Sequence, residues 1–170
     1  LQEALSENVV DTFNMISVDG DTSTNDTLVI LANGMAENPE IASKNEDYDK
    51  FREALNYINT TLAKMMAGDG EGATALFETK VIHAKTKEDA RKLSRSVISS
   101  SLSKAAVFGH DANCGRFLCA LGYSGAAFDP DNMEVFLENG EKSLLVYKDG
   151  TVTDYPEEEA TKILSAPEVR

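Results

Sequence analysis

Apolar residues at Leu5, Val9, Phe13 and Ile16 recur at spacings of three and four, which predicts an amphipathic helix over residues 2–16. After a polar loop, TLVILANG reads as a buried strand ending at Asn33-Gly34. Residues 35–45, with Pro39, form a polar connection. The clearest pattern follows. Tyr48, Phe51, Leu55, Ile58, Leu62 and Met65 mark one stripe of a long helix from about Asp47 to Met66, and the stripe is expected to be core. GDGEG, residues 68–72, breaks that helix and is the best internal boundary, separating residues 1–67 from 68–170.

Beyond the boundary, ATALFETKVI has β-propensity and partial alternation. Thr86 offers a helix N-cap answered by Asp89 three places later, and the helix 87–100 turns Ala90, Leu93 and Val97 inward. KAAVFG, 104–109, reads as a second short strand, so this region predicts a strand–helix–strand unit. DANCGRFLCALGYSG predicts a further helix, with Asp111 or Asn113 near its cap and Gly122 or Gly125 near its end. MEVFLE, SLLVYK and TVTDY are three short strands joined through ENGEK and DG, which are hairpin signals. Pro156 then opens a short acidic helix, PEEEATKILS.

The chain of 170 residues has 29 acidic against 16 basic side chains, a net charge of −13. Such a surface disfavours nucleic acid, whose phosphates must be met by clustered Lys and Arg. The bases gather only in KTKEDARKLSR, where acids are interleaved as on a solvated helix face. No stretch approaches the ~20 apolar residues of a membrane span. The chain opens at Leu1, already inside a helical pattern, and is expected to be a fragment.

Candidate chemistry is sparse. DGDTSTNDT, residues 19–27, is dense in oxygen ligands, but an EF-hand register from Asp19 puts Thr24 where Gly is needed and Ile30 where a bidentate Glu is needed. Two readings stay open: a polar loop whose side chains satisfy their own backbone before a strand at Leu28, or a loop facing a ligand. Cys114 and Cys119, five residues apart, would lie about 140° apart around a helix and cannot bridge each other. With His83 and His110 they make a weak zinc set, and two buried thiols are the better reading. Glu71, flanked by Gly70 and Gly72, is either an exposed turn carboxylate or a group that a ligand approaches closely. Asn113 and Arg116 read as a cap and a structural ion pair rather than catalytic groups.

Taken in order, ISVDGDTSTNDTLVILANG, GDGEGATALFETKV and KAAVFGHDANCGRFLCALGYSGAAFDPDNM resemble the bifunctional ornithine acetyltransferase / N-acetylglutamate synthase family of arginine biosynthesis, over essentially the whole chain. The resemblance implies an α/β (α+β) fold: a layered sheet-and-helix sandwich of the self-cleaving ornithine acetyltransferase/aminopeptidase type plus a smaller α/β lobe. Residues 1–67 would be part of the catalytic sandwich, and 68–170 the second lobe with the strand–helix–strand unit and the hairpins.

The family's precursor cuts itself before a threonine in an Ala-Thr-Met-Leu motif, and that threonine becomes the nucleophile. No Ala-Thr-Met-Leu occurs here, so the resemblance implies a β-chain fragment with no catalytic residue of its own. One substrate-binding residue carries over, the Glu of the DGEGA motif, here Glu71. Thr22, Ser23 and Thr24 are not the nucleophile, although their hydroxyls and Asn25 could order strand ends near the site. The family reads Asp-Pro-Asn-Trp-Gly-Arg where this chain has Asp111-Ala-Asn-Cys-Gly-Arg116, which alters local packing volume.

The implied activity is acetyl transfer from N-acetylornithine to glutamate through an acetyl-threonine, with or without N-acetylglutamate synthesis from acetyl-CoA. The implied partners are an α chain of the same precursor, in a heterotetramer of two α and two β chains, and the two small substrates. No cofactor, metal, nucleic acid or membrane is implied, and the location is cytoplasmic. Two other readings stand beside it: a related self-cleaving aminopeptidase or amidohydrolase, and a non-catalytic small-ligand-binding module.

Overall fold

Short-range pattern sets the helices, and neighbours decide everything else. The computed structural model describes residues 1–170 and mixes helices with two small sheets. The chain divides into two units: Leu1–Ile16 with Gly20–Met66, and Ser17–Asp19 with Ala67–Arg170. The longest helix, 23 residues, is too polar to cross a membrane, and no other qualifies.

In the first unit, helix α1 spans Gln2–Val9 and helix α2 spans Glu46–Gly68. The expected helix over 2–16 therefore stops early. Thr12 turns its hydroxyl back to donate to the Asn8 carbonyl at 3.0 Å, and the chain continues as a single 3-10 turn, Phe13–Met15. A polar ladder ties α1 to α2: Asn59 Nδ2 donates to Asn8 Oδ1 at 2.7 Å, and Asn8 Nδ2 donates to Asn56 Oδ1 at 2.9 Å.

Two further expectations fail in this unit. The buried line of α2 is Leu55, Asn59 and Ala63, whereas Ile58, Leu62 and Met65 of the expected core stripe are exposed. A helix buries only the face that a neighbour covers, and α1 meets the Asn59 side. TLVILANG forms no strand, and Leu31 is 91% exposed. A strand exists through its ladder, and no segment of these 170 residues pairs with it. The α2 helix thus has no sheet containing TLVILAN beneath it.

In the second unit, strand β1 is only Leu76–Phe77, so most of ATALFETKVI is irregular. Thr86 caps helix α3, Lys87–Ser99, by accepting from the Asp89 N–H at 3.0 Å, and Leu93 and Val97 are buried as expected. KAAVFG is not a strand. It lies in helix α4, Ser101–Phe108, so there is no strand–helix–strand unit. A short apolar run fits either state. Here Ser100 decides: its extended backbone ends α3, and its Oγ accepts from the Ser103 N–H at 3.2 Å to start α4. Ser103, Ala106 and Val107, spaced three and one apart, then form the buried side.

Helix α5, Cys114–Gly122, packs with α3 and α4, and Ser96 Oγ donates to the Ala120 carbonyl at 2.6 Å. Phe77 of β1 meets Phe117 of α5 with ring centroids 6.1 Å apart. The three expected strands are present as an antiparallel meander: β2, Glu134–Glu138; β3, Ser143–Lys148; and β4, Thr151–Val152. Lys148 pairs with Thr151 across a two-residue turn, Asp149-Gly150, both with positive φ, as that hairpin class demands. Helix α6, Glu157–Leu164, carries three glutamates in its first turn, where the helix dipole favours them, and buries Ala160, Ile163 and Leu164.

Strand β5, Glu168–Val169, closes the second unit. It pairs in parallel with β1, through Leu76 N–H to Pro167 O and Glu78 N–H to Val169 O, both 2.8 Å. On its other edge Arg170 exchanges both backbone hydrogen bonds with Glu138, at the end of β2. Val169 enters the core with Val146, Ile163 and Leu164.

The ladder between α1 and α2 sets a stability test. Asn59→Ala removes the shorter of two hydrogen bonds to the half-buried Asn8 amide oxygen, the other coming from the Thr12 hydroxyl at 3.4 Å, which costs about 1 kcal/mol. The expected outcome is a lower urea midpoint with an unchanged m-value; a midpoint equal to that of the parent chain would show the ladder to be idle.

Candidate functional site

The GDGEG segment forms a tight turn immediately after α2. The Ala73 N–H donates to the Gly70 carbonyl at 2.9 Å, which makes Glu71 and Gly72 the two central residues. Gly72 has φ +71° and Glu71 a negative φ, the signature of a type II turn, which needs glycine at its third position. The turn thus aims Glu71 into solvent. Its carboxylate is exposed and engages no hydrogen bond or ion pair within the chain.

Beside the turn lies the short segment Ser17–Asp19, which leads into the DGDTSTNDT loop. A Cβ at Gly70 would stand 3.8 Å from Val18 Cγ1 and 3.5 Å from the Ala67 carbonyl, so Val18 borders the turn at about the distance of one added methyl group. That segment is held from the other side by Lys104 of α4, whose ammonium donates to the Ser17 carbonyl at 3.0 Å and also to the Val18 carbonyl. Ser99 Oγ adds a hydrogen bond to Ser17 Oγ at 3.2 Å. Burial pushes the Lys104 pKa down, and the Asp19 carboxylate pulls it back up. The remainder of the loop satisfies itself: Asn25 N–H donates to Ser23 Oγ, Thr24 Oγ1 to Asn25 Oδ1, and Thr27 Oγ1 to the Asn25 carbonyl. The self-bonded loop reading therefore holds, although no strand follows it.

The remaining candidates are structural in their contacts. Asn113 occupies the N-cap position of α5 without a side-chain capping bond. Arg116 stands 3.9 Å from Asp111 and donates to the Leu102 carbonyl at 3.4 Å. Both cysteines are free, as expected, but only Cys114 is buried; the expectation of two buried thiols fails because Cys119 lies on the outer side of α5. Burial raises the Cys114 thiol pKa, and the Tyr155 hydroxyl beside it lowers it in part, so Cys114 is held as a thiol, a poor nucleophile. Tyr155 itself donates to the Ala112 carbonyl at 2.7 Å. No three His, Cys, Asp or Glu side chains gather into a metal-holding group.

Chemically, the arrangement offers one free carboxylate on a backbone-defined turn, suited to a cationic group such as an ammonium. Reading the sequence missed Lys104, because KAAVFG was expected to be a strand. A single charge inside an apolar run was the available signal.

Two outcomes test this geometry. Gly72→Ala adds a Cβ that meets nothing within 4 Å, so its cost is backbone strain alone, roughly 1–2 kcal/mol. A thermal midpoint matching that of the parent chain would refute the turn assignment. With a thiol reagent under native conditions, Cys119 should react at once and Cys114 only on unfolding; two fast equivalents would place Cys114 at the surface.

A sequence profile described as the ArgJ family matches residues 1–170. The chain is similar to the arginine biosynthesis bifunctional protein ArgJ 1 of Clostridium acetobutylicum, at 50% identity over 99% of this chain and 41% of that protein. It is similar to the ArgJ protein of Thermotoga neapolitana at 44% identity, over 100% of this chain and 43% of that protein. The crystal structure of arginine biosynthesis bifunctional protein argJ from Bacillus halodurans superposes with a TM-score of 0.89 at 39% identity, covering 99% of this chain and 78% of that one. The chain thus spans about two fifths of the length of these curated relatives.

Proposed function

Because the chain belongs to the ArgJ family, we propose that it is part of a glutamate N-acetyltransferase of arginine biosynthesis, acting in the cytoplasm. The complete enzyme moves an acetyl group from N-acetylornithine to glutamate. A threonine hydroxyl outside these residues attacks the acetyl carbonyl, ornithine leaves as the free amine with the transferred proton, and the glutamate amine then attacks the resulting ester, expelling the threonine oxygen, which takes up the amine's proton. Residues 1–67 belong to the catalytic sandwich, and 68–170 form the second lobe. An α chain of the same precursor supplies the oxyanion hole, in a heterotetramer of two α and two β chains. Contact with it, or with the rest of the protein, accounts for the open apolar face of α2 at Ile58, Leu62 and Met65.

The observation that carries the site reading is Glu71: a free, exposed carboxylate at the tip of a glycine-flanked turn. Both substrates present an amino group at some stage, and a carboxylate binds an ammonium through a charge-assisted hydrogen bond. Such a bond is worth roughly 1.5–3 kcal/mol. In the complete protein, Glu71→Gln keeps the shape and removes the charge. It should lower kcat/KM for acetyl transfer by about one to two orders of magnitude, while self-cleavage and assembly proceed. Wild-type turnover would remove Glu71 from the site, and a precursor that no longer cleaves would make it structural.

A further inference from the structure

Lys104 is the one lysine of this chain whose pKa is lowered, burial being the main cause; its ammonium donates to the protein's own backbone and also feels the Asp19 carboxylate. It does not reach out to solvent as surface lysines do. It holds two consecutive carbonyls, those of Ser17 and Val18, in a segment with no regular secondary structure. Such carbonyls have no strand or helix to fix them, so the ammonium sets where the segment lies. Ser99, one turn of chain earlier at the end of α3, clamps the same segment through the Ser17 hydroxyl.

The consequence appears on the other side of the segment. Val18 is the side chain nearest to the open side of Gly70, where an added Cβ would fall 3.8 Å from its Cγ1, and Gly70 supplies the carbonyl that closes the turn bearing Glu71. α4, the 17–18 backbone, Val18 and the Glu71 turn thus stand as successive neighbours, all within the second unit. We propose that Lys104 is a positioning residue for substrate binding: by pinning the Ser17 and Val18 carbonyls it fixes the segment that borders the Gly70–Ala73 turn, and so limits where the Glu71 carboxylate can lie. This rests on the reading of Glu71 as a substrate-binding residue.

A group that only orients a binding carboxylate changes KM rather than the chemical step. In the complete protein, Lys104→Met retains the aliphatic stem and removes the donors. KM for the amino-acid substrate should rise about tenfold with kcat changed less than about twofold, while self-cleavage is unaffected. In a Glu71→Gln background the same substitution should add less than about twofold, because residues coupled through shared neighbours are not additive. If Lys104→Met does not yield folded protein, Lys104→Leu, which also has no donor, is read by the same two criteria. An unchanged KM overturns the proposal, as does an effect of full size in the Glu71→Gln background. A defect in Glu71→Gln without one in Lys104→Met overturns this inference alone. Wild-type turnover in Glu71→Gln overturns the site reading and this inference with it.

Discussion

The second unit depends on hydrogen bonds made by four residues, Pro167 to Arg170. Strand β5 bonds β1 along one edge and the end of β2 along the other, so that two otherwise separate pieces of sheet share one backbone. β1 would not be secure alone, being two residues long, whereas β2 already belongs to the three-stranded meander. The Arg170 guanidinium reinforces the junction, 3.0 Å from Glu78 and 3.6 Å from Glu138. Beneath it Val169 is locked among Val146, Ile163 and Leu164. A fixed β1 in turn fixes the downstream end of the turn that carries Glu71, only five residues earlier than Leu76.

Charge placement follows from the same frame. In a chain of net charge −13 most carboxylates are either solvated or matched with a base, as in the Lys148–Glu134 pair at 2.7 Å. Glu71 is matched with nothing. Lys104, for its part, is engaged with the Ser17 and Val18 carbonyls. The result is a carboxylate ready for an external cation, held by a backbone conformation that glycine alone adopts without strain.

The first unit is organised differently. It has no strand, and a polar ladder of Asn8, Asn56 and Asn59 joins its two helices. Directional amide bonds of this kind specify register where a purely apolar contact could slide. The apolar surface left uncovered, Ile58, Leu62 and Met65 on α2 and Leu31 in the extended segment, is what a larger core would take up.

Much of this molecule was legible in its residues. The Thr86–Asp89 cap, the α5 helix, the Asp149-Gly150 hairpin and the acidic start of α6 depend on contacts within a few positions, and each formed as its pattern required. The Gly-flanked turn at Glu71 and the self-bonded DGDTSTNDT loop belong with them. What failed was whatever needed a distant neighbour. TLVILANG has the propensity of a strand but finds no ladder, and KAAVFG became helical because Ser100 offered a cap and the side formed by Ser103, Ala106 and Val107 found a core. The exposed half of the α2 stripe and the inward role of Lys104 were equally invisible, since periodicity gives a helix two possible faces and says nothing of which one is covered. Local hydrogen bonds and glycine conformations were written in the sequence; pairing, burial and the seating of the Glu71 turn were decided by tertiary contact, because each is a property of two segments at once.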